Sequence, residues 1–300
     1  MRLRSFALML ATCGLLHTAL EARGVRRLQP SGKWVVDYAA DTCRLAREFG
    51  EGEQRVTLLF EQFVPGDVFN LTFVGRSMAS AISGKATIRF GPNELADQDN
   101  TVTLITVGSQ PGILLGVFQR LAPVSETERA EARKAAREDR PYENPPIGTV
   151  REKAATWLEL KKVLPFDLVL ETGPMDHPLE ALRQCSWDTV KSWGLAIEEQ
   201  KGLTRHARSV VDPRNWFNSN DYPTKMLNQG YEGNVNFRVI VDANGLPITC
   251  HVQSSTRPQE FDDIVCRQIM KKAKFKPALD ANGKPIKSYY RQSVHFRLAH

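Results

Sequence analysis

The cysteines carry the clearest chemistry in this sequence. Four of the five stand beyond the N-terminal segment, at Cys43, Cys185, Cys250 and Cys266. None of their spacings matches a zinc-binding pattern. In an oxidising compartment the four would instead form two disulfides, for which three pairings exist.

Side chains suited to catalysis or to metal binding are few and scattered. Asp176 and His177 are the only pair that suggests acid–base chemistry, and no nucleophile is accompanied by a recognisable base. His251 and His295 should lie two strands apart in a sheet, about 10 Å from each other, which is too far to share a metal. We therefore predict a protein that is not an enzyme, with no cofactor and no metal. An enzyme hidden in the N-terminal half is the alternative.

The N-terminal segment has the pattern of a secretory signal peptide. Arg2 and Arg4 precede the nearly apolar residues 6–20, and Ala22 supplies a small residue before the expected cut. The apolar stretch is shorter than the roughly 20 residues that span a bilayer core. We expect residues 1–22 to be removed from an exported protein. Cys13 follows a weak lipobox, so lipidation with membrane association is the alternative.

Composition and charge describe a globular protein with two unlike parts. Hydrophobic residues make up 42% and charged residues 25% of the 300 residues, which excludes a collagen-like or disordered chain. Residues 203–300 hold 15 Lys or Arg against 8 Asp or Glu, a net charge of +7, whereas the whole chain carries +6. Such asymmetry is typical of two domains with different surfaces. We predict domains at residues 23–200 and 201–300, and no nucleic-acid partner.

The N-terminal domain shows short strand patterns separated by turn clusters, which is typical of a small sandwich or barrel. We predict this mostly-β domain to hold strands at residues 34–38, 56–60, 69–74, 86–90, 101–107, 113–118 and 166–170. Residues 125–140 contain five acidic and five basic residues and predict a charged, exposed helix, with an interaction arm as the alternative. A helix over residues 178–193 should close the domain.

The C-terminal domain is far easier to interpret. Residues 234–242 alternate strictly, which predicts a half-buried strand whose polar face includes Arg238. After a tight turn, a second strand should place Ile248, Cys250 and Val252 on the apolar face and Thr249, His251 and Gln253 outside. A helix over residues 258–275 carries the buried stripe Phe261, Val265, Ile269 and Ala273. A last strand follows, so the whole chain is predicted to be α+β with a β-β-α-β C-terminal domain.

These faces predict one disulfide directly. Cys266 lies at the edge of the helical stripe, and Cys250 should face that helix from the sheet. A Cys250–Cys266 bridge would close a loop of about 16 residues and contribute roughly 3 kcal/mol in the chain-entropy model. The remaining pair, Cys43 and Cys185, would join the start of the N-terminal domain to its last helix.

The last strand is a candidate docking site. A helix crossover should return it beside the first strand and leave its outer side unpaired, and open sheet edges can bind an added strand. Arg291 and His295 are expected on its solvent face. The predicted partner-binding residues are Tyr290, Arg291, Gln292, Ser293, Val294, His295 and Phe296. A homodimer through this edge is a further alternative.

A family resemblance supports this interpretation. Residues 221–298 resemble the C-terminal domain of TonB-family energy transducers through an ordered series of motifs: Tyr222-Pro223, Gly233-Asn234-Val235, Val241-Asp242, Ser254-Ser255, Phe275-Lys276-Pro277-Ala278 and Val294-His295-Phe296. The resemblance implies a periplasmic domain for transmembrane transport, whose edge strand accepts the extended TonB box of a TonB-dependent outer-membrane receptor. It adds Tyr222 and Pro223 to the predicted partner-binding residues.

The chain also departs from that family. Members that transduce energy have an uncleaved N-terminal helix, which meets the ExbB and ExbD motor, and a long Pro-rich spacer. Neither pattern occurs in this sequence, which puts contact with ExbB and ExbD in doubt. A structural envelope protein and a periplasmic enzyme with a TonB-like adaptor domain are the alternative functions.

We predict that the signal segment is cleaved and that the mature chain begins near Arg23. Mass spectrometry of the protein from envelope extracts measures this directly. Intact Met1 in the membrane fraction would contradict it and would support an anchored energy transducer instead.

Overall fold

The computed structural model describes residues 24–115, 119–138, 144–256 and 258–298. The predicted signal peptide and Cys13 lie outside these residues. Within the described ranges, no helix is long and apolar enough to cross a membrane.

The N-terminal domain is built on one extended sheet. Its strands in the described residues are β1 (Val25–Leu28), β2 (Val35–Tyr38), β3 (Cys43–Phe49), β4 (Val56–Gln62), β5 (Asn70–Val74), β6 (Gly84–Gly91), β7 (Glu94–Val107), β8 (Gln110–Leu115), β9 (Trp157–Lys161) and β10 (Asp167–Leu170). They pair in the order β1-β10-β9-β6-β7-β8-β5-β4-β3-β2. Only the β1–β10 pair, among the pairs described, is parallel.

The first segment of the chain closes this sheet into a barrel. After β1 leaves β10, Pro30 forms a bridge with Phe49 of β3. The Gly50 N–H donates to the Gln29 carbonyl at 2.8 Å, and the Ser31 N–H donates to the Glu48 carbonyl at 2.9 Å. One continuous segment therefore pairs with β10 near one end of the sheet and with β3 near the other, and the predicted mostly-β domain takes its barrel form.

The sequence predicted most of these strands but not all. β2, β4, β5, β6, β7, β8 and β10 lie where strands were expected, although residues 116–118 are outside the described part. β1, β3 and β9 were not predicted. Alternate side chains of β4 point inward, and Phe60 packs edge-on against Phe69 in the barrel core, with ring centroids 4.9 Å apart.

Three helices accompany the barrel in the described residues: α1 (Glu126–Arg137), α2 (Thr149–Ala154) and α3 (Asp176–Ser192). α1 lies within the charged helix predicted over residues 125–140, of which residues 139–140 are outside the described part, and it begins with a capping box between Ser125 and Glu128. α3 packs on the barrel, where the Ser186 hydroxyl donates to Gln62 at 2.8 Å. The predicted Cys43–Cys185 disulfide fastens α3 to β3, with Cα atoms 5.9 Å apart.

The C-terminal part contains shorter elements around one sheet. They are α4 (Ile197–Lys201), β11 (Arg208–Ser209), the 3-10 turns Pro213–Trp216 and Ser219–Asp221, α5 (Thr224–Asn228), β12 (Gly233–Val241), β13 (Pro247–Ser255), α6 (Gln259–Lys272), β14 (Phe275–Lys276), β15 (Ala278–Leu279), β16 (Pro285–Ile286) and β17 (Ser288–Phe296). β13, β12 and β17 pair antiparallel in that order within the described residues. The predicted β-β-α-β order is confirmed.

α6 covers one face of this sheet with the predicted stripe. Phe261, Val265, Ile269 and Ala273 are all buried. The predicted Cys250–Cys266 disulfide joins β13 to α6, with Cα atoms 5.4 Å apart. The turn before β13 depends on Gly245, which has φ +82° and whose added Cβ would lie 1.9 Å from the Phe275 carbonyl oxygen.

The other face of the sheet corrects the sequence-based prediction. Arg238 and Gln253 were expected to face outward, but each has only 8% of its surface exposed. The barrel covers them, and the Gln253 amide lies 3.4 Å from the carbonyl oxygens of Asp41 and Phe63. Conversely, Ile248 was expected in the core and is 47% exposed. Alternation within one strand cannot reveal that a second domain packs on its polar face.

Buried apolar residues form three clusters among the described residues. One fills the barrel and extends to α3, and another lies between α6 and the C-terminal sheet. Val190, Leu195 and Ile240 form the third, between the two larger ones. The proposed boundary between residues 200 and 201 stays a prediction.

We predict that the two disulfides contribute unequally to stability. They join residues 142 and 16 positions apart. In the chain-entropy model, Cys43→Ala should cost about 5 kcal/mol and Cys250→Ala about 3 kcal/mol, because the longer loop restricts the unfolded chain more. Urea unfolding of both variants measures the difference. Free thiols in non-reducing peptide maps of the exported protein, or the opposite order of costs, would contradict the prediction.

Candidate functional site

β17 has a neighbouring strand on one side only, within the part of the chain that the structure describes. It pairs with β12 in a continuous register in which Asn236 lies opposite Ser293 and Val235 opposite Val294. The Ser293 N–H does not reach across to β12. It donates to the side-chain oxygen of Gln292 at 3.0 Å.

This hydrogen bond establishes which main-chain groups of β17 face outward. In an antiparallel pair, successive residues direct their N–H and C=O groups alternately toward the partner strand and away from it. Ser293 therefore faces away from β12, and Val294 faces β12. The outward donor at Ser293 is covered by the carboxamide of Gln292, the residue before it.

A groove of 460 Å³ runs beside this part of β17. Gln292, Ser293, Val294 and His295 form one wall. The opposite wall comes from the 3-10 turn Pro213–Trp216 and from Phe217. An open strand edge and a groove thus lie side by side.

The wall opposite β17 is held firmly in place. Trp216 packs edge-on against Phe275 and Tyr290, with ring centroids 5.7 and 5.8 Å apart. The Lys272 ammonium donates to the Trp216 carbonyl at 3.1 Å. Asp212 caps the turn by accepting from the Arg214 N–H at 2.9 Å. Hydrogen bonds from the Arg214 side chain and N–H lower the pKa of Asp212 to about 2.

The predicted partner-binding residues lie on both faces of β17. Tyr290, Val294 and Phe296 pack against the α6 core, whereas the Nδ1 of His295 lies 2.7 Å from the Asn234 side-chain oxygen. Arg291 was expected on a solvent face. Its guanidinium instead lies 4.6 Å from the centre of the Phe63 ring, because the barrel covers this side.

Tyr222 and Pro223 lie close to the end of the same strand. Tyr222 packs edge-on against Phe261 and Phe296, at 5.5 and 5.6 Å between ring centroids, and its hydroxyl donates to the Tyr231 carbonyl. Pro223 precedes the first residue of α5. These positions support the local fold, and the role of both residues in partner binding stays a prediction.

Basic side chains form a row across the sheet on the face toward the barrel. Arg238 lies opposite His251 on β13 and opposite Arg291 on β17. Asp41 of the barrel contacts this row, 2.8 Å from His251 Nε2 and 3.7 Å from the Arg238 guanidinium. Arg238 also lies 4.0 Å from the centre of the Trp193 ring.

Aromatic rings help to keep these buried guanidinium groups charged, because a ring face attracts a cation. Burial lowers the pKa of Arg291 to about 10 and lowers the pKa of Arg238. Arg291 nevertheless remains protonated at neutral pH. The barrel therefore fixes β17 from the face opposite α6.

Sequence reasoning missed the groove. Asp212-Pro213 is a typical start of a helical turn and could have located the turn itself. No periodic pattern in residues 212–217 indicates that Trp216 and Phe217 meet β17, because that contact depends on tertiary packing.

We predict that Asp41→Asn destabilises the protein by about 1–3 kcal/mol, since it removes the carboxylate that contacts the buried Arg238 guanidinium and His251 Nε2. Urea unfolding measures this. Asp37→Asn is the matched control, because the Asp37 side chain is 61% exposed and lies 3.8 Å from Arg44. It should change stability by under about 0.5 kcal/mol. Equal effects of the two variants would contradict the role given to Asp41.

Comparison with known proteins gives one assignment. No curated protein matches the chain. Residues 218–298 match the family described as Gram-negative bacterial TonB protein C-terminal. The matched range covers β12, β13, α6 and β17 and starts just after Phe217, so the predicted resemblance over residues 221–298 is confirmed. Residues 218–298 are a TonB-family C-terminal domain, which indicates a TonB-like protein of the Gram-negative envelope with a part in energy transduction or transport.

Proposed function

We propose that the outer edge of β17 binds an extended segment of another envelope protein by strand addition. A TonB-dependent outer-membrane transporter is the partner that the family favours. On this proposal the protein is a binding module and not an enzyme, and it works in the periplasm after its signal peptide is removed.

The observation that carries the proposal is the outward Ser293 N–H beside an open groove. In strand addition the main-chain hydrogen bonds provide most of the affinity, and pockets for alternate side chains provide specificity. The two requirements are a free row of main-chain groups and adjacent space for side chains. The outward Ser293 N–H and the groove beside Gln292–His295 support the proposal on both counts.

The incoming strand must displace the Gln292 carboxamide from Ser293. That exchange replaces one hydrogen bond by another, so it costs little in net free energy. The remaining outward groups of β17 then extend the ladder. Because the outward main-chain groups recur at every second residue of a strand, only a segment in extended conformation can pair with them in series.

A proline scan across β17 tests the proposal, because proline removes one N–H. Ser293→Pro removes an outward donor, so the protein should stay folded and lose binding to a TonB-box peptide by at least about tenfold. Val294→Pro removes an inward donor of the β12–β17 ladder and should unfold the C-terminal sheet. Circular dichroism and fluorescence anisotropy with a labelled peptide measure the two effects.

Ala281→Pro is the control. Ala281 follows Asp280 in a turn closed by the Gly283 N–H to Asp280 carbonyl hydrogen bond, a position at which proline is favoured. This variant should fold and bind like the wild type. Wild-type affinity in folded Ser293→Pro, or no peptide binding by the wild type, would refute edge docking. Sedimentation analysis that finds a wild-type dimer abolished by Ser293→Pro would assign the edge to self-association instead.

A further inference from the structure

The positive charge of the C-terminal domain is concentrated in two short segments. Residues 203–211 and 271–287 hold eight Lys or Arg and one acidic residue, Asp280. Their net charge of +7 equals that of residues 203–300 as a whole, so the rest of this domain is neutral on balance. Two of the cations lie in the last turn of α6, where they complement the helix dipole. The other six lie outside this helix and need another explanation.

Main-chain pairing brings these six cations together. β11 pairs antiparallel with β14, and Arg208 lies opposite Lys276. The Val210 N–H donates to the Lys274 carbonyl at 2.9 Å and extends this pairing. β15, which follows β14, pairs in turn with β16. We define the basic ribbon by its residues: 203–211, 274–279 and 284–287.

The basic ribbon directs cations away from the core of the domain. Ala207 and Phe275 are buried, and side chains alternate between the two faces of an extended chain. Arg208 therefore points outward on one segment, and Lys274 and Lys276 point outward on the next. Opposed residues of an antiparallel pair share a face, so Arg208 and Lys276 lie side by side on the outside.

Much of this charge has no acidic side chain to neutralise it. Three exposed lysines of the basic ribbon form no ion pair among the described residues: Lys274, Lys284 and Lys287. Asp280 is engaged in its own turn, where it accepts from the N–H groups of Asn282 and Lys284, both at 2.9 Å. The basic ribbon therefore presents an excess of positive charge to solvent, which attracts an anionic partner.

Two exposed valines lie within the same surface. Val210 is 52% and Val211 is 46% exposed. Val210 alternates with Arg208 and therefore shares its outward face. Cations beside aliphatic side chains suit a lipid surface, because the cations meet phosphate headgroups while the apolar groups enter the boundary with the acyl chains. An acidic protein would engage the charges and leave the valines unused.

We propose that the basic ribbon binds a membrane surface rich in anionic phospholipids, with Val210 and Val211 inserted among the headgroups. This inference goes beyond edge docking by β17 and does not rest on it. The basic ribbon adjoins both walls of the groove, because Val211 precedes Asp212 and Lys287 precedes β17. Membrane binding would therefore hold the open edge of β17 close to the lipid surface.

Co-sedimentation of the full mature chain with vesicles tests this inference. The probes are vesicles of phosphatidylcholine alone and vesicles of equal parts phosphatidylcholine and phosphatidylglycerol. The protein should sediment with the mixed vesicles and stay in solution with the neutral ones. Raising the ionic strength from about 0.1 M to about 1 M should release most of it, because the Debye length falls from about 10 Å to about 3 Å.

A triple variant removes the unpaired charges of the basic ribbon. Lys274→Gln, Lys284→Gln and Lys287→Gln combined should weaken binding to the mixed vesicles about a hundredfold, since each cation near an anionic surface contributes about fivefold. The three side chains are exposed, so circular dichroism should show an unchanged fold.

A second triple variant is the matched control for net charge. It combines Arg76→Gln, Arg129→Gln and Lys225→Gln, which lie outside the basic ribbon. Each of these cations is paired with a glutamate, at 2.6, 2.7 and 3.0 Å respectively. The control removes as much charge as the ribbon variant but should weaken vesicle binding less than about threefold, because distant charges are screened.

A valine variant distinguishes a membrane from an acidic protein. Val210→Ala combined with Val211→Ala removes no charge. It should weaken binding to the mixed vesicles about fivefold, through the loss of apolar contact with lipid. Binding to polyglutamate, which represents an acidic protein surface, should change less than about twofold.

Each result supports or overturns the inference. Equal sedimentation with both kinds of vesicle, equal effects of the two triple variants, or full affinity in the valine variant would overturn it. Binding of polyglutamate without binding of mixed vesicles would also overturn it and would indicate an acidic protein partner. If the ribbon variant fails to fold, the salt dependence of the wild type decides by itself. The peptide-binding experiment with Ser293→Pro tests edge docking separately.

Discussion

The arrangement of this protein depends on burial of β12 on both faces. On one face, α6 packs its apolar stripe against Val235, Phe237 and Val239. On the other face, the N-terminal domain covers both Arg238 and Ile240: Asp41 and Trp193 contact Arg238, and Val190 and Leu195 pack with Ile240. If a strand buried on both faces shifted its register by one residue, the side chains of its two faces would exchange places. The apolar side chains would then lose their packing partners. β12 therefore fixes the register of β17, which pairs with it. That register in turn directs the main-chain groups of Ser293 outward.

Burial of the basic row is the costly part of this arrangement. A guanidinium that leaves water loses hydration, and the Asp41 carboxylate contacts Arg238 and His251 of this row. Trp193 and Phe63 provide ring faces for Arg238 and Arg291. These contacts link particular side chains of the N-terminal domain to particular positions on the C-terminal sheet. The interface thereby specifies one orientation of the two domains. A purely apolar interface would specify that orientation less strictly.

The sequence predicted those features that depend on local periodicity. Alternation in β12 and the four-residue stripe of α6 were sufficient for the C-terminal fold and for the Cys250–Cys266 pairing. Features that depend on packing between distant segments were not predictable in this way. The burial of Gln253, the exposure of Ile248 and the position of Trp216 beside β17 are of this kind. β3 was missed because its burial pattern is irregular around Ala46 and Arg47.

The closure of the barrel has a consequence for the order in which the chain can fold. A polypeptide emerges N-terminus first, yet β1 pairs with β10, so Val25 must wait for Asp167 before its native partner exists. Cys185 likewise emerges before Cys250. Beyond the predicted signal peptide, each disulfide joins two cysteines that follow one another in the sequence: Cys43 pairs with Cys185, and Cys250 pairs with Cys266. Oxidation in order of appearance therefore gives the native pairing, without a step of disulfide exchange.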